Sequence, residues 1–487
     1  MESIAKFLRP TKSFLLILGL FLLLSLLISS WSLNNVPVFG DEAIYVRWSQ
    51  IIKNVETLRF IPLTDGKQPL YMWLTTAAFK FVQDPLIAGR LVALVAGLFT
   101  LVVAAYFSFL FMPKALVPVL LLFSFNFYTY FYNRLALADS LLSFFGIMSM
   151  LLAFLLSRYP RLDLSLITGA VLGLAWITKS PAIYFFVLFG LTYIYFSFPK
   201  RPLSHYLYPI ISLAIGFFIY NLLRLGPQFH QIALRNQDYL WTLSEILTHP
   251  LDPLIPHFKD LTNFLWFYLG PAIFGLFLLP FYKHPKWLWP ILAWWLIPTI
   301  GNMVFAQVLT ARYLLYTIPP LLILLAYLYS KLGKAGNFIL ILLLIPSIFK
   351  IVNLNTNTFN FVLPTQDAGY LIDWTSGWGI KPASEYLLSR STSHNVIVGT
   401  EGYFGTLPQG LEIYTDSQPR ITIIGVGLGF DQLPTQLTSA RDAGDEVYLL
   451  INRSRNHLDS STSHQVRLIK SFAKPKGDFL DLYLLPR

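Results

Sequence analysis

The residues that could do chemistry in this 487-residue chain are a few widely spaced carboxylates and cations. Asp41 and Glu42 stand side by side in VPVFGDEAIYVRWSQ, and Asp139 lies in NRLALADSLL. Cations occur in GKQPLYMW, WITKSPA and TARYLLY, at Lys67, Lys179 and Arg312. A carboxylate can take a proton from an attacking hydroxyl, or hold a metal ion that activates it. Lysine and arginine bind phosphate, so these residue types suit a transfer in which a phosphate leaves.

The composition predicts that the elements positioning these residues are membrane helices. Hydrophobic residues make up 55% of the chain and charged residues 13%, against about 25% charged in soluble proteins. Apolar runs of nearly 20 residues recur, the length that crosses a hydrocarbon core of about 30 Å. The first run follows Lys6, Arg9 and Lys12 without a small-residue cleavage site and is too long for a signal peptide, so we expect a retained helix.

Two function classes are disfavoured by simple counts. The chain has no cysteine, which excludes a disulfide framework and thiolate chemistry. Its net charge of +11 can be explained by membrane topology, so no nucleic-acid partner is expected.

Hydropathy predicts an α-helical polytopic membrane protein with about eleven spans. These are roughly 12–32, 86–111, 115–132, 135–156, 164–178, 181–198, 205–223, 263–282, 287–306, 312–330 and 335–352. The segment 69–82 is apolar but short, and it contains Lys80.

The positive-inside rule indicates that 69–82 does not cross. In that case five short loops lie on the same side of the membrane as the basic N-terminus, and each of them is basic. Their basic residues, loop by loop, are Lys114; Arg158 and Arg161; Lys200 and Arg201; Lys283 and Lys286; and Lys331 and Lys334. That side is expected to be cytoplasmic. Segment 69–82 becomes a juxtamembrane helix outside, in a chain located in the cytoplasmic membrane.

This topology places charges from distant parts of the chain at the outer face. They lie in the long loop 33–85, at the ends of spans or in turns, and include Lys67, Arg90, Arg134, Asp139, Lys179 and Arg312. Isolated charges at membrane depth are costly unless paired or hydrated, so they mark functional sites. We expect several of them to converge on one cavity, where these five cations are candidate substrate-binding residues.

The tail differs from the rest of the chain. NVIVGT, RITIIGVG, DEVYLLIN and DFLDLYLL have the pattern of strands, and KPASEYLLSRS that of a short helix. We predict a membrane domain over 1–353, with outer loops 33–85 and 224–262, and a small extracytoplasmic α/β domain over 354–487. The run GVGLGF (425–430) departs from the dinucleotide-binding fingerprint and is interpreted as a turn.

A site of carboxylates and cations at a lipid surface suits an amphiphile with an anionic head. Sugar transfer from a polyprenyl phosphate fits, with attack through an oxocarbenium-like state. Two other hypotheses stay open: a flippase for such a lipid, and a non-catalytic anchor that displays the tail.

Six motifs in series carry a family resemblance: DEAIY, GKQPLYMW, GRLVALVAG, RLALADSLLSFF, GLAWITKSPA and ARYLLYTIPP. In order and spacing over about 1–330, they resemble the GT-C membrane glycosyltransferases. The branch they resemble most is the bacterial protein-mannosyltransferase and aminoarabinose-transferase group. The resemblance implies a polyprenyl-phosphate-sugar donor, membrane lipids as neighbours, and a protein, lipid or glycan acceptor.

The resemblance also implies residue roles. Asp41, with Glu42 beside it, corresponds to an acidic residue that serves as catalytic base or orients the acceptor, and Asp139 to a second acidic residue. All three are candidate catalytic residues. Lys67 and Lys179 are implied to contact the donor phosphate, and Arg312 and Tyr313 match an Arg-Tyr pair. Any divalent metal would involve Asp41 and Asp139. Two positions depart from the family pattern: Gln68 replaces a proline, and Gly66 replaces a glutamate that helps bind metal in the aminoarabinose branch.

Each assignment has a structural alternative. Asp41 and Glu42 follow Gly40 and can stabilise a helix N-terminus. Asp139 can neutralise Arg134, and Lys67 and Lys179 can extend to the interface. Arg90 fits a structural role, and Arg312 can be a helix-end anchor.

Overall fold

The computed structural model describes residues 9–199, 201–429, 432–459 and 464–486. Lys6 and Lys200, two of the predicted inner basic residues, lie outside these ranges, as does Phe430 at the end of the glycine-rich run.

The membrane part is built from apolar helices, as predicted. In the described ranges, nine helices have the length and composition to cross a membrane: Lys12–Ser30, Pro85–Phe111, Asp139–Arg158, Ser180–Ser197, Leu203–Leu225, Leu251–Phe281, Leu288–Phe305, Ala311–Ser330 and Gly333–Thr356. Two shorter apolar helices, Pro113–Phe125 and Leu162–Trp176, fall where spans 115–132 and 164–178 were expected. The polytopic helical class is confirmed.

One predicted span is interrupted. The segment 115–132 contains two helices, Leu116–Phe125 and Phe127–Tyr132, with Asn126 extended between them at φ −81° and ψ 144°. The Asn126 side chain accepts a hydrogen bond from the Thr129 N–H at 2.9 Å, which is the geometry of a helix N-cap. The break turns the second helix into a separate aromatic element.

Short helices occupy the predicted outer loops. Leu70–Ala78 has nine residues, so it rises about 14 Å and is too short to cross a core of about 30 Å. Gly40–Asn54 lies in loop 33–85. Gln231–Gln237 and Leu243–Thr248 lie in loop 224–262, and the helix Leu251–Leu269 also begins there.

The chain divides into two compact units. The membrane unit comprises the described residues of Met1–Trp31, Arg59–Leu74 and Arg90–Asn353. The α/β unit comprises those of Ser32–Leu58, Thr75–Gly89 and Leu354–Arg487. The second unit thus joins two segments of loop 33–85 and its flank to the predicted C-terminal domain.

Two helices form the centre of the membrane unit. Asp139–Arg158 and Ala311–Ser330 are each 89% buried along their apolar windows, whereas Lys12–Ser30 is 17% buried. The Ser143 hydroxyl donates to the Leu315 carbonyl at 3.4 Å, so the two helices pack side by side near their starts. Their first residues are therefore held at one place.

The α/β unit contains a five-stranded sheet of order β2-β1-β3-β5-β4. The strands are β1 (Val396–Thr400), β2 (Ile421–Gly425), β3 (Glu446–Asn452), β4 (Arg467–Ala473) and β5 (Phe479–Leu485). β1 pairs in parallel with β2 and β3, while β5 pairs antiparallel with β3 and β4. Its helices are Ile380–Ser391, Gln409–Thr415 and Thr435–Asp442. Strands β1, β2, β3 and β5 and the helix Ile380–Ser391 were predicted. Strand β4 and the other two helices were not.

The same unit fixes the helix Gly40–Asn54. Arg47 pairs with Glu412 at 3.0 Å and with Asp416 at 2.7 Å, on and beside the helix Gln409–Thr415. The Gln50 side chain donates to the Ile413 carbonyl at 2.8 Å. The segment that carries the acidic pair is thus held by the C-terminal part of the chain.

Candidate functional site

Asp139 is the centre of a charged cluster in the membrane unit. It is the first residue of the helix Asp139–Arg158 and is 4% exposed. Lys179 Nζ donates to Asp139 Oδ1 at 2.6 Å, and Arg312 Nε lies 3.9 Å from Asp139 Oδ2. A carboxylate this buried needs cations or hydrogen-bond donors to remain charged. The structure therefore brings together three residues that the sequence singled out.

Tyr313 belongs to the same cluster. Its ring lies 5.0 Å from Lys179 Nζ and 5.1 Å from Arg312 Cζ. Both distances are within the range of cation–π attraction, so one ring orients both cations.

Buried tyrosines hold the backbone that presents Arg312. The Tyr128 hydroxyl donates to the Ala311 carbonyl at 2.6 Å, and Asn302 Nδ2 donates to the Tyr316 hydroxyl at 2.7 Å. Tyr128 lies on the short helix created by the break at Asn126. Sequence reasoning missed these positioning residues, although the aromatic run FYTYFY was a visible signal.

The loop that carries Lys67 lies against the loop that carries Lys179. Gln68 Nε2 donates to Ser180 Oγ at 2.7 Å, and the Leu70 N–H donates to the Ile177 carbonyl at 3.2 Å. Gln68 and Ser180 each follow one of the two lysines directly. A proline at position 68 has no side-chain donor for this bond, so the departure from the family pattern has a structural use.

Lys67 faces a second aromatic ring, in a cluster that the sequence did not reveal. Lys67 Nζ lies 4.9 Å from the Tyr239 ring centre, and Arg235 Cζ lies 5.2 Å from the same centre. Arg235 also pairs with Asp65 at 3.3 Å and Asp238 at 3.0 Å. The loop 224–262 was predicted only as an outer loop, because nothing in its spacing singles out Arg235.

Backbone pairing connects this second cluster to the segment before Arg312. The Gln307 N–H donates to the Tyr239 carbonyl, and the Trp241 N–H donates to the Phe305 carbonyl, both at 2.8 Å. Loops from four distant parts of the chain, near positions 67, 179, 239 and 307, are therefore mutually attached within the membrane unit.

Arg90 and Arg134 are buried, at 0% and 3% exposure. Arg134 donates to the Trp31 carbonyl at 2.6 Å and to the Tyr130 hydroxyl, and its guanidinium lies 4.7 Å from the Tyr130 ring centre. Burial lowers the pKa of Arg134 to about 10, and the charge of Arg90 acts in the same direction while Tyr130 opposes it. These contacts give Arg134 a structural role; its substrate-binding role stays a prediction.

The acidic pair lies in the α/β unit, at the start of the helix Gly40–Asn54. Glu42 is fully buried, and its Oε2 accepts a hydrogen bond from the Phe39 N–H at 3.0 Å. This is the helix-capping role that competed with catalysis for Glu42. Asp41 is half-buried in the first turn of the helix.

Comparison with known proteins identifies the architecture. No protein-family model and no curated protein sequence matches the chain. Among solved structures it is similar to ArnT from Cupriavidus metallidurans, in the apo state and bound to undecaprenyl phosphate. In both cases the TM-score is 0.55 at 14% identity, covering 95% of this chain and 97% of the other. It is also similar to the Archaeoglobus fulgidus oligosaccharyltransferase tethered with an acceptor peptide containing the NVT sequon. There the TM-score is 0.50 at 11% identity, covering 96% and 74%.

The chain has the GT-C fold. The resemblance inferred from the six motifs is thus confirmed at the level of the fold, including the small C-terminal sheet.

Within this GT-C fold, the residues around Asp139 do not fit a divalent metal. One oxygen of the Asp139 carboxylate faces Lys179 and the other faces Arg312, and these two cations would repel a metal ion. In the described part of the chain, no three His, Cys, Asp or Glu side chains come together as metal ligands. A metal at Asp41 stays a prediction.

Gly66 shows why the glutamate of the aminoarabinose branch has no counterpart here. Its φ is +65°, a left-handed conformation that favours glycine. A Cβ at this position would lie 2.5 Å from Arg235 Cβ and 2.6 Å from the Gln231 carbonyl oxygen. The space that a glutamate needs is occupied by the helix Gln231–Gln237.

We expect Gly66→Ala to destabilise the protein more than Gly333→Ala. Gly333 has nearly the same φ, +60°, but no atom lies within 4 Å of its added Cβ. The control therefore carries the conformational strain alone, and Gly66→Ala adds a packing cost of about 1–3 kcal/mol. Melting temperatures of the two purified variants in detergent measure the difference. Equal melting temperatures would contradict the close packing of Arg235 on Gly66.

Proposed function

We propose that this protein is a membrane glycosyltransferase that transfers a sugar from a polyprenyl-phosphate donor to an acceptor. The observation that carries the proposal is the cluster in which Lys179 and Arg312 flank one buried carboxylate, in a GT-C fold. The similar ArnT structure, bound to undecaprenyl phosphate, supports the class of donor lipid.

The geometry suits a lipid phosphate. Lysine binds phosphate as a point charge, and arginine offers a planar fork of N–H donors. The contact of Arg312 with Asp139, at 3.9 Å, is longer than a hydrogen bond, whereas Lys179 donates to Asp139 at 2.6 Å. We assign phosphate binding to Lys179 and Arg312, because both cations lie beside the same carboxylate and the same Tyr313 ring. Asp139 becomes a positioning residue that holds Lys179.

Lys67 extends the same surface. The bond from Gln68 to Ser180 keeps its loop beside that of Lys179. As a third cation beside Lys179 and Arg312, Lys67 is proposed to stabilise the charge that grows on the leaving phosphate. Arg90 and Arg134, held deep in the unit, are proposed to shape the site.

The proposed reaction exchanges two bonds at the anomeric carbon of the donor sugar. The bond from this carbon to the phosphate oxygen breaks, and a bond to an acceptor oxygen or nitrogen forms. The electron pair leaves with the polyprenyl phosphate, and the acceptor proton passes to a carboxylate, which we assign to Asp41. The sugar passes through an oxocarbenium-like state.

We further propose that transfer takes place at the outer face of the cytoplasmic membrane. The five basic loops support an inner location for Lys114 and an outer one for the α/β unit.

Cysteine labelling tests this orientation, since the chain has no native cysteine. We expect Tyr403→Cys, at a 74% exposed position in the α/β unit, to react with a membrane-impermeant maleimide in intact cells. Lys114→Cys, also exposed, is expected to react only after the membrane is opened. The reverse pattern would exclude an outer active site.

Asp41→Asn is expected to lower sugar transfer by about 10²–10⁴-fold, because the acceptor proton loses its base. Mass spectrometry of envelope glycans, in cells that lack the gene and carry each variant, measures the product. The matched control is Asp163→Asn, since Asp163 is also an acidic residue in the first turn of a helix.

Two further outcomes separate catalysis from capping. Glu42→Gln keeps a side-chain acceptor for the Phe39 N–H, so it should retain transfer. Near-normal transfer by Asp41→Asn would rule out Asp41 as the base. Equal losses in Asp41→Asn and Asp163→Asn would assign the effect to the helix N-terminus.

A further inference from the structure

The α/β unit contains a cavity of about 380 Å³ that the proposed transfer reaction does not use. Its volume is within the range of small-molecule sites. Aromatic and apolar side chains form most of its wall, with one carboxylate and one guanidinium among them: Trp374, Glu401, Tyr403, Phe404, Leu428 and Arg455.

The cavity lies where sheets of this kind bind ligands. In the sheet, β2 pairs with one edge of β1, and β3 pairs with the opposite edge of β1. The order of the strands therefore changes direction between β1 and β3, which is a topological switch point. Glu401 directly follows β1, and Asn452 ends β3. In open α/β sheets, ligands bind outside the carboxyl ends of the strands at such a switch point.

A buried polar network fixes the floor of the cavity. Glu401, 3% exposed, accepts from the Asn452 N–H at 3.0 Å and from Asn452 Nδ2 at 2.6 Å. Lys474 Nζ donates to Asn452 Oδ1 at 2.6 Å. Burial raises the pKa of Glu401 and lowers the pKa of Lys474 to about 8. Such a network is costly to bury and is held in one orientation.

Arg455 connects this floor to the aromatic wall. Its Nη1 lies 3.6 Å from Glu401 Oε1, and its Cζ lies 4.1 Å from the Trp374 ring centre. The guanidinium has five donors, more than the contact with Glu401 uses. The cavity thus offers the Glu401 carboxylate as a hydrogen-bond acceptor and the Arg455 guanidinium as a donor, and their charges cancel.

Close backbone packing forms the rim and explains the glycine-rich run. The Gly402 N–H donates to the Gly427 carbonyl at 2.6 Å. A Cβ at Gly425 would lie 2.6 Å from the Gly402 carbonyl oxygen and 3.0 Å from Tyr403 Cα. The glycine at the end of β2 therefore allows the loop that carries Tyr403 to fold over the cavity.

The aromatic wall is unusually open to solvent. Tyr403 is 74% exposed, Phe404 48% and Trp374 41%. Clustered exposed aromatic residues beside fixed polar groups are typical of a ligand surface. Aromatic ring faces carry partial negative charge, which attracts the C–H groups on the apolar face of a sugar ring.

We propose that this cavity binds a neutral saccharide. The ring faces of Tyr403 and Trp374 take the C–H face of a sugar, Glu401 accepts from its hydroxyl groups, and Arg455 donates to them. A phosphorylated ligand is disfavoured because the Glu401 carboxylate stands at the floor. A purely apolar ligand is also disfavoured, because it would cover Glu401 and Arg455 without forming hydrogen bonds to them.

Saturation-transfer difference NMR on the full-length protein in detergent tests this proposal. The probes are cellotriose, mannotriose and chitotriose at millimolar concentration, with glucose 6-phosphate as the anionic comparison. At least one neutral probe should show transfer to its C–H protons. Tyr403→Ala should weaken its binding about tenfold, because a stacking ring is lost. Arg455→Met, which keeps the apolar stem, should also weaken it.

The matched control is Phe359→Ala, which removes an aromatic side chain of the same unit that is 40% exposed and outside the cavity. It should bind like the wild type, and both Phe359→Ala and Tyr403→Ala should keep the wild-type melting temperature. Transfer to none of the neutral probes would overturn the proposal. So would unchanged binding in Tyr403→Ala and Arg455→Met, or binding of glucose 6-phosphate alone. None of these outcomes depends on sugar transfer, so they leave the proposed activity to its own test.

Discussion

A carboxylate buried among apolar helices is stable as a charge only when cations or hydrogen-bond donors lie beside it, and Asp139 imposes this constraint on the membrane unit. Its partners come from other parts of the chain, with Lys179 at 2.6 Å and Arg312 at 3.9 Å. Among the apolar helices of the described residues, the two most buried pack together near their first turns, which contain Asp139 and Arg312. Moving any of the three charges alone would leave a buried ion without its partner, at a cost of several kcal/mol by comparison with other proteins.

Beyond the two helices that carry Asp139 and Arg312, hydrogen bonds between distant segments of the chain join the loops to one another. Gln68 donates to Ser180, which brings the Lys67 loop to Lys179. Tyr239 and Gln307 share a backbone bond, which brings Arg235 and its ring partner to the segment before Arg312. The α/β unit holds the Asp41 helix through Arg47 and serves as more than an appended domain. The GT-C architecture in this chain thus distributes its candidate residues over two separately packed units.

Hydropathy and charge placement predicted the eleven apolar helices, the short helix within 69–82 and four of the five described strands, because each depends on local composition. The break at Asn126 was missed, because a single side-chain cap decides it inside an otherwise apolar run. β4 was missed because it is an edge strand with mostly exposed, mixed residues. Asp139, Lys179 and Arg312 were singled out by residue type and predicted topology, and Tyr313 by the family resemblance. Arg235, Tyr239 and Tyr128 were not, since their roles depend on contacts between distant segments. The Glu42 cap was foreseen as an alternative to catalysis.

Lys179 is proposed to bind the donor phosphate, and direct binding of undecaprenyl phosphate to the purified full-length protein tests this role. Native mass spectrometry with increasing lipid compares the wild type, Lys179→Met and Lys331→Met. Lys331 is a matched control because its Nζ lies 4.6 Å from the Tyr327 ring centre, as Lys179 lies near Tyr313. We expect Lys331→Met to bind like the wild type and Lys179→Met to bind about tenfold or more weakly. Equal binding by all three proteins would contradict this role.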